Sequence, residues 1–304
     1  MKIRSLNNQI NYCITQNTRV GESKRAFKSN PNNKDTKGQV FSVQYAENLR
    51  DTVKGFTNWL KTEYPEIRLA RDIQSQHIQE WIDSKAQQWT QATLDNHISR
   101  MNIVCQQINN TFNTNIELDI KKPTVIKAQN VRNFAMDKND LEELRKELSG
   151  RKTEAKTALE VAYRTGLRSK EIARLHSDCI NTDKWVIEVR EGAKNGKYRD
   201  VPIRQADRAY FADLKAQTQG QYICKGIGEE SLNRGIRRAL ETIGKADKYP
   251  DSTVHAIRKL YATERMKEER ETGKNERSAW SIVQQELGHG KQFRQKLYNT
   301  YVKG

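Results

Sequence analysis

Arg168 stands two residues after Gly166 and three before Glu171 in the run Tyr163-Arg164-Thr165-Gly166-Leu167-Arg168-Ser169-Lys170-Glu171. That spacing lets an arginine at a helix start be held by a carboxylate one turn on and be turned outward toward an anion. Lys194 lies in Gly192-Ala193-Lys194-Asn195-Gly196, at the tip of an expected hairpin, where its ammonium can swing over a bound ligand. His255 and Arg258 are three apart on one face of an expected helix, Glu286-Leu287-Gly288-His289 closes another, and Tyr298 and Tyr301 follow. Phosphodiester chemistry without a metal needs cations around the phosphate, an acid for the leaving oxygen and a nucleophile held in line, and these residue types supply all three. Taken singly, each has an ordinary reading: a surface Arg–Glu pair, a solvated basic turn, an incidental His-x-x-Arg.

The composition points the same way. The 304 residues carry 54 Lys and Arg against 38 Asp and Glu, a net charge of +16, so the natural partner is a polyanion. Apolar residues make up only 35%, yet five Trp, eleven Tyr and seven Phe supply the core material that a disordered chain lacks. No run of 18 apolar residues occurs and no signal-peptide pattern opens the chain, so a cytoplasmic protein without a membrane span is expected. Cys13, Cys105, Cys179 and Cys224 lack the paired spacing that holds zinc, and are expected as reduced thiols with no metal site among them.

The elements that must position these groups read as mainly α with a small β-hairpin or sheet. Residues 1–41 are polar and basic and are expected as a flexible arm. Tyr45, Leu49, Val53, Phe56 and Leu60 give one helix ending before Pro65; Ile78, Trp81 and Ile82 give a second behind Ser75 as N-cap; Leu94 to Phe112 give a third. This places a helical domain at 42–116, a linker at 117–137 and a second domain at 138–304. In the second domain, helices through Leu141–Leu148 and Ala158–Thr165 precede an alternating strand at 184–190, the Asn195-Gly196 turn and a strand ending at Val201-Pro202. Helices are expected from there on.

In order, the motifs Thr165-Gly166-Leu167-Arg168-x-x-Glu171, a Lys-bearing hairpin ending in Val-Pro, His255-x-x-Arg258, Leu287-Gly288-His289 and a tyrosine nine residues later resemble those of tyrosine recombinases, or phage-type integrases. The resemblance runs from about residue 42 to the end and implies a helical core-binding domain that clamps DNA, followed by a tyrosine-recombinase catalytic domain. The sequence departs from the family pattern in Ile257, in Lys259 where a second His often stands, and in a long interval between Arg258 and His289. Lys267–Arg277 is therefore expected as a solvent-exposed insertion. With six residues after Tyr298, no long C-terminal helix reaching a neighbouring subunit is expected.

The resemblance implies that Tyr298, with Tyr301 as its rival, attacks the scissile phosphate to leave a 3′-phosphotyrosyl bond and a free 5′-hydroxyl. It also implies that His255 takes the phenolic proton, that Arg168 and Arg258 clamp the non-bridging oxygens and that Lys194 protonates the departing oxygen. His289 donates a hydrogen bond and Glu171 supports the architecture. No metal, ATP or other cofactor is expected. The implied partner is double-stranded DNA, bound by a chain that is a monomer in solution and a tetramer on paired sites, with DNA-bending accessory proteins possible; the basic residues that touch DNA are not readable. The same residues also resemble those of type IB topoisomerases, and a non-catalytic DNA-binding relative of the fold stands as a further alternative. A generic RNA-binding protein is disfavoured by the lack of an RNP-like strand or a suitable Gly-x-x-Gly loop.

Overall fold

The computed structural model describes residues 4–33, 37–125, 134–151, 153–193, 198–249 and 253–302. The chain divides into two units, Met1–Gln129 and Asn130–Gly304.

In the first unit, helices α1 (Leu6–Gln16), α2 (Lys24–Ser29), α3 (Val43–Glu63), α4 (Ser75–Lys85) and α5 (Gln91–Phe112) follow in order. α3 starts where Ser42 Oγ accepts the Tyr45 N–H and buries Leu49, Val53, Phe56 and Leu60, the stripe that its 3.6-residue period lays out. Phe56 meets the edge of Trp81 at 5.4 Å. The expected arm at 1–41 is corrected by α1: Ile10, Cys13 and Ile14, spaced three and four apart, are fully buried in the core that α1 shares with α3 and α5. Its polar composition hid a single narrow apolar stripe. α4 is capped differently than expected. Gln74 is the N-cap and gives its N–H to His77 Nδ1 at 3.1 Å, while Ser75 Oγ accepts the Asp119 N–H at 3.0 Å.

Of the expected linker at 117–137, residues 126–133 lie outside the described residues. Leu118, Ile120 and Val125 pack against the first core, and Met136 is buried in the second with its N–H on the Ala256 carbonyl at 3.0 Å. Both described ends of that stretch thus belong to a core.

The second unit opens with α6 (Lys138–Ser149), α7 (Glu154–Thr165) and α8 (Ser169–Ala173). Then β1 (Ile180–Asn181), β2 (Val186–Val189) and β3 (Arg199–Pro202) form an antiparallel sheet in that order, with Ile187 opposite Val201 and Val189 opposite Arg199. Residues 194–197 of the connection between β2 and β3, Lys194 among them, lie outside the described residues. Helices α9 (Arg208–Gln217), α10 (Glu229–Thr242), α11 (Thr253–Glu271), α12 (Glu276–Glu286) and α13 (Gln295–Tyr301) complete the unit. α7 packs against α6, α10 and α11, so the helix leading to Arg168 and the helix carrying His255 and Arg258 are neighbours. A smaller core of Tyr261, Met266, Trp280, Val283, Leu287 and Tyr301 joins α11, α12 and α13.

The segment expected as a solvent-exposed insertion at Lys267–Arg277 comprises the end of α11, a turn and the start of α12. Most of it is exposed, but Glu268 and Glu269 are tied to Arg265 at 2.7 and 2.5 Å.

Candidate active site

α7 ends because Gly166 takes a left-handed conformation, φ 62°, at its C-cap. A Cβ on Gly166 would lie 2.3 Å from Tyr261 Cδ1, so the glycine also sets how closely α11 approaches. Its carbonyl accepts a hydrogen bond from Arg258 Nη1.

Two residues on, Arg168 is the N-cap of α8. Glu171 reaches back to it, accepting the Arg168 N–H at 2.8 Å on Oε2 and Nη1 at 2.8 Å on Oε1. The other side of the same carboxylate takes the Arg199 guanidinium as a fork, Nη1 to Oε1 and Nη2 to Oε2, both at 2.9 Å. Glu171 is fully buried. Burial alone pushes its carboxyl up, but the hydrogen bonds and charge of Arg199, then those of Arg168, overcome this and hold it down at about 2. It is therefore an anion with two cations, and the surplus positive charge faces outward through Arg168.

Arg258 is fully buried and donates Nη1 to Gly166 and Nη2 to the Leu287 carbonyl. Among the described residues its Nε has no hydrogen-bond partner. Burial pulls its pKa down and the neighbouring Tyr301 opposes the fall; from arginine's high starting point it stays charged. Gly288, at φ 70°, lies against the other two arginines: a Cβ there would fall 2.8 Å from Arg199 Nη1 and 3.1 Å from Arg168 Nη1.

The aromatic groups complete the cluster. The Tyr301 ring lies 5.4 Å from His255 and 5.1 Å from His289, both edge-on, with the Arg258 guanidinium 5.5 Å from its centroid. Tyr301 is 5% exposed. Tyr298, one turn earlier on α13, packs edge-on against Trp280 at 5.5 Å and beside Phe293 at 6.3 Å. Its phenol is pushed up by burial first and by Glu276 second. The structure therefore brings His255, Arg258 and His289 around Tyr301, where the sequence reading favoured Tyr298, and sets Arg168, held by Glu171, against Gly288, the residue before His289. The nine-residue spacing counts along the chain, whereas the turn at 290–294 uses up residues before α13 begins.

Two further residues belong to this centre. Arg199 is the arginine of Lys197-Tyr198-Arg199 in the Lys-bearing hairpin, a residue that the sequence reading did not single out. Glu286 had no signal beyond standing next to Leu287-Gly288-His289. Its carbonyl accepts Arg199 Nε at 2.7 Å, and its carboxylate accepts Arg265 Nη2 at 2.8 Å, Arg265 Nε at 3.0 Å and the Tyr261 hydroxyl at 2.7 Å. From Arg265 a ladder of ion pairs runs through Glu268, Arg204, Asp207, Arg164 and Glu160 to Arg145. Among the described residues no group of three or more His, Cys, Asp or Glu is placed to hold a metal, and no helix is long and apolar enough to cross a membrane.

The fold is similar to that of lambda integrase(75-356), in a structure of its dimer bound to a COC′ core site, with TM-score 0.64 at 14% identity over 86% of this chain and 89% of that one. It is equally similar to XerH site-specific recombinase bound to palindromic difH substrate, with TM-score 0.64 at 14% identity over 98% and 91%. The Tn1549 transposon integrase in complex with transposon right end DNA matches with TM-score 0.60 at 13% identity over 97% and 95%. No curated protein sequence matches the chain. The family model for the phage integrase family matches residues 135–299, over half of the chain and the whole span from Arg168 to His289, so the chain belongs to the phage integrase family of tyrosine recombinases.

Proposed function

We propose that this chain is a site-specific DNA recombinase that cuts and rejoins strands through a 3′-phosphotyrosyl intermediate, with Tyr301 as the nucleophile. The observation that carries the reading is the convergence of Arg258, His255 and His289 on the ring of one tyrosine. The DNA-bound recombinases and integrases that share the fold support DNA as the substrate.

In this mechanism the Tyr301 oxygen attacks the scissile phosphorus and gives up its proton to His255, the imidazole at its ring edge. Arg168 and Arg258 hold the non-bridging oxygens. Arg258 has five N–H groups and spends two on the Gly166 and Leu287 carbonyls, which leaves at most three for a phosphate. His289 adds a hydrogen bond. As the P–O5′ bond breaks, Lys194, outside the described residues, gives its proton to the departing 5′-oxygen. A 5′-hydroxyl from a partner strand then attacks the phosphotyrosine and restores the phenol. One phosphodiester is exchanged for another, so no ATP enters the balance. Glu171 acts at one remove, by holding Arg168 and Arg199.

On this reading residues 42–116 clamp duplex DNA, residues 138–304 carry the chemistry, and monomers assemble into a tetramer on paired sites in the cytoplasm. The test uses nicked duplexes drawn from the DNA flanking the protein's own gene, incubated without metal or ATP. A denaturant-resistant adduct whose peptide mass maps to Tyr301 is the expected result. An adduct on Tyr298 would keep the recombinase and remove this nucleophile; a footprint with no adduct would point to a non-catalytic relative.

A further inference from the structure

The first unit carries its positive charge in one place. Residues 1–37 contain eight Lys and Arg against two acids, whereas residues 38–129 contain ten of each and are neutral as a whole. Six of those eight cations, Arg19, Lys24, Arg25, Lys28, Lys34 and Lys37, fall in the stretch between α1 and α3.

That stretch leaves the core and returns to it at a closed neck. The Arg19 N–H donates to the Val40 carbonyl at 2.7 Å and the Val40 N–H to the Asn17 carbonyl at 2.9 Å. Gln107 on α5 donates from Nε2 to the Gly38 carbonyl at 2.7 Å, in a buried contact, and Asn110 donates to the Lys37 carbonyl at 3.2 Å. The neck holds the two ends of the excursion together, as the close ends of an Ω-loop do on a smaller scale.

The excursion has its own small fastening. Phe27 meets the edge of Phe41 at 5.4 Å, and the Arg19 guanidinium lies over the Phe27 ring at 4.6 Å. Ser23 caps α2 by accepting the Ala26 N–H, and Asn33 Nδ2 donates to the Phe27 carbonyl at 3.0 Å. With Phe27 turned inward, the rest of α2 is exposed. Arg19 is paired with Glu22, but among the described residues Lys24, Arg25 and Lys28 have no ion-pair partner. A chain that only needed solubility would have no reason to collect unpaired cations on a segment tied down at both ends.

We propose that this excursion is a phosphate-binding grip for duplex DNA, with Lys24, Arg25 and Lys28 as its contacts. The inference rests on the recombinase reading and deepens it by assigning contact residues. A double-stranded backbone is favoured over single strands because base stacking needs an exposed ring. Phe27 is the only aromatic between Arg19 and Val40, and it is occupied by Phe41 and Arg19. The grip holds DNA without reading bases, since cations aimed at phosphates fix position rather than sequence.

The test compares the full chain with the triple variant K24Q/R25Q/K28Q, measuring duplex affinity over a range of salt concentrations. Three lost phosphate contacts lower the slope of log K against log salt by about 2.7, at roughly 0.9 per contact. A control variant, K146Q/K156Q, removes exposed cations of α6 and α7 that have no part in the clamp or the centre, and should leave the slope within about one contact's worth of the parent. An unchanged slope in the triple variant, or a fall per charge equal to that of the control, overturns the proposal. A parent chain that binds no duplex at all would instead remove the recombinase reading on which the proposal stands.

Discussion

Arg199 donates its Nε–H to the backbone carbonyl of Glu286 at 2.7 Å, and the next carbonyl, that of Leu287, takes Arg258. Two of the arginines around the centre are thus fixed by consecutive peptide groups just before His289. The Glu286 carboxylate, gripped by Arg265 and Tyr261, is what holds those peptides in place. It touches no substrate in the proposed mechanism and acts as a positioning residue. Replacing Glu286 by Gln should lower the rate of covalent adduct formation by about 10- to 100-fold, since small displacements of catalytic groups have effects of that size. Duplex affinity should stay within about twofold. Single-turnover adduct rates alongside binding isotherms check this; a variant with parental rates would show that the grip on Glu286 does not govern the arginines.

Glu171 makes the same centre sensitive to acid. Its folded pKa is about 2 against an ordinary 4.5, so it contributes stability that is fully present above the ordinary value and is lost as pH falls through the folded one. Changing Glu171 to Gln removes the shared counter-charge of Arg168 and Arg199 and should destabilise the chain by about 3–5 kcal/mol, the cost typical of breaking a buried pair. Denaturant unfolding at neutral pH reads that loss. Across pH 2 to 4.5 the parent should lose stability more steeply than the variant, and parallel curves would exclude Glu171 as the group responsible.

How much of this was legible in the sequence differs from part to part. α3 and α5 follow from their apolar periods, and Gly166 from its place after the stripe Ala158, Leu159 and Ala162, because these depend on neighbours in the chain. The convergence of Arg168, His255, Arg258 and His289 was legible only through the order of several motifs, since each pair alone is commonplace. What could not be read depends on distant segments meeting. Which tyrosine of α13 lies against His255 and His289 depends on the path of the chain between His289 and α13, and Glu286 gains its contacts from Arg265 on α11 and Arg199 on β3. α1 was missed because three buried residues in a polar segment acquire meaning only when α3 and α5 offer a groove.

The two glycines of the centre should fail in different ways when changed to alanine. At Gly166 the new Cβ meets the Tyr261 ring at 2.3 Å on a left-handed backbone. The ring is fully buried and held by Glu286, so α11 must shift, at a cost of about 2–4 kcal/mol from overpacking and backbone strain together. At Gly288 the clash is with the ends of Arg199 and Arg168, at 2.8 and 3.1 Å. Those ends can move, but only by leaving Glu171. Gly288→Ala should therefore lose less stability than Gly166→Ala and, for a given stability, more adduct formation. Urea unfolding and adduct rates on both variants decide it; equal stability losses would refute the distinction.

His97 should make the first unit sensitive to pH in a milder range. Its ring stacks on Trp89 at 4.1 Å and 15°, with Nδ1 3.1 Å from Thr52 Oγ1. Burial, then the charge of Arg100, pulls its pKa from 6.5 down to about 4. In that window the unfolded chain binds a proton that the folded chain does not, so stability falls as pH drops from about 6.5 toward 4. His97→Gln removes the titration. The variant's melting temperature should change less than the parent's between pH 7 and pH 5, whatever its absolute value, and an equal change would assign the effect to another group.

The two tyrosines of α13 give the sharpest separation. Both are three residues apart on one short helix, yet Tyr301 sits between His255 and His289 with Arg258 at its face, while Tyr298 is packed on Trp280 and Phe293. A nucleophile must reach the atom that the arginines hold and must lose its proton to a base nearby, and only the first environment offers both. Tyr301→Phe removes one oxygen from a buried ring and should abolish adduct formation while leaving duplex binding intact. Tyr298→Phe should keep adduct formation within about tenfold of the parent, because the aromatic packing that seats α13 survives and only the hydroxyl is lost. Gel-resolved adduct assays on both variants, with binding measured in parallel, check this. Loss of the adduct in Tyr298→Phe with its retention in Tyr301→Phe would mean that α13 turns on engaging DNA, and that the nine-residue spacing from His289 is the one that counts.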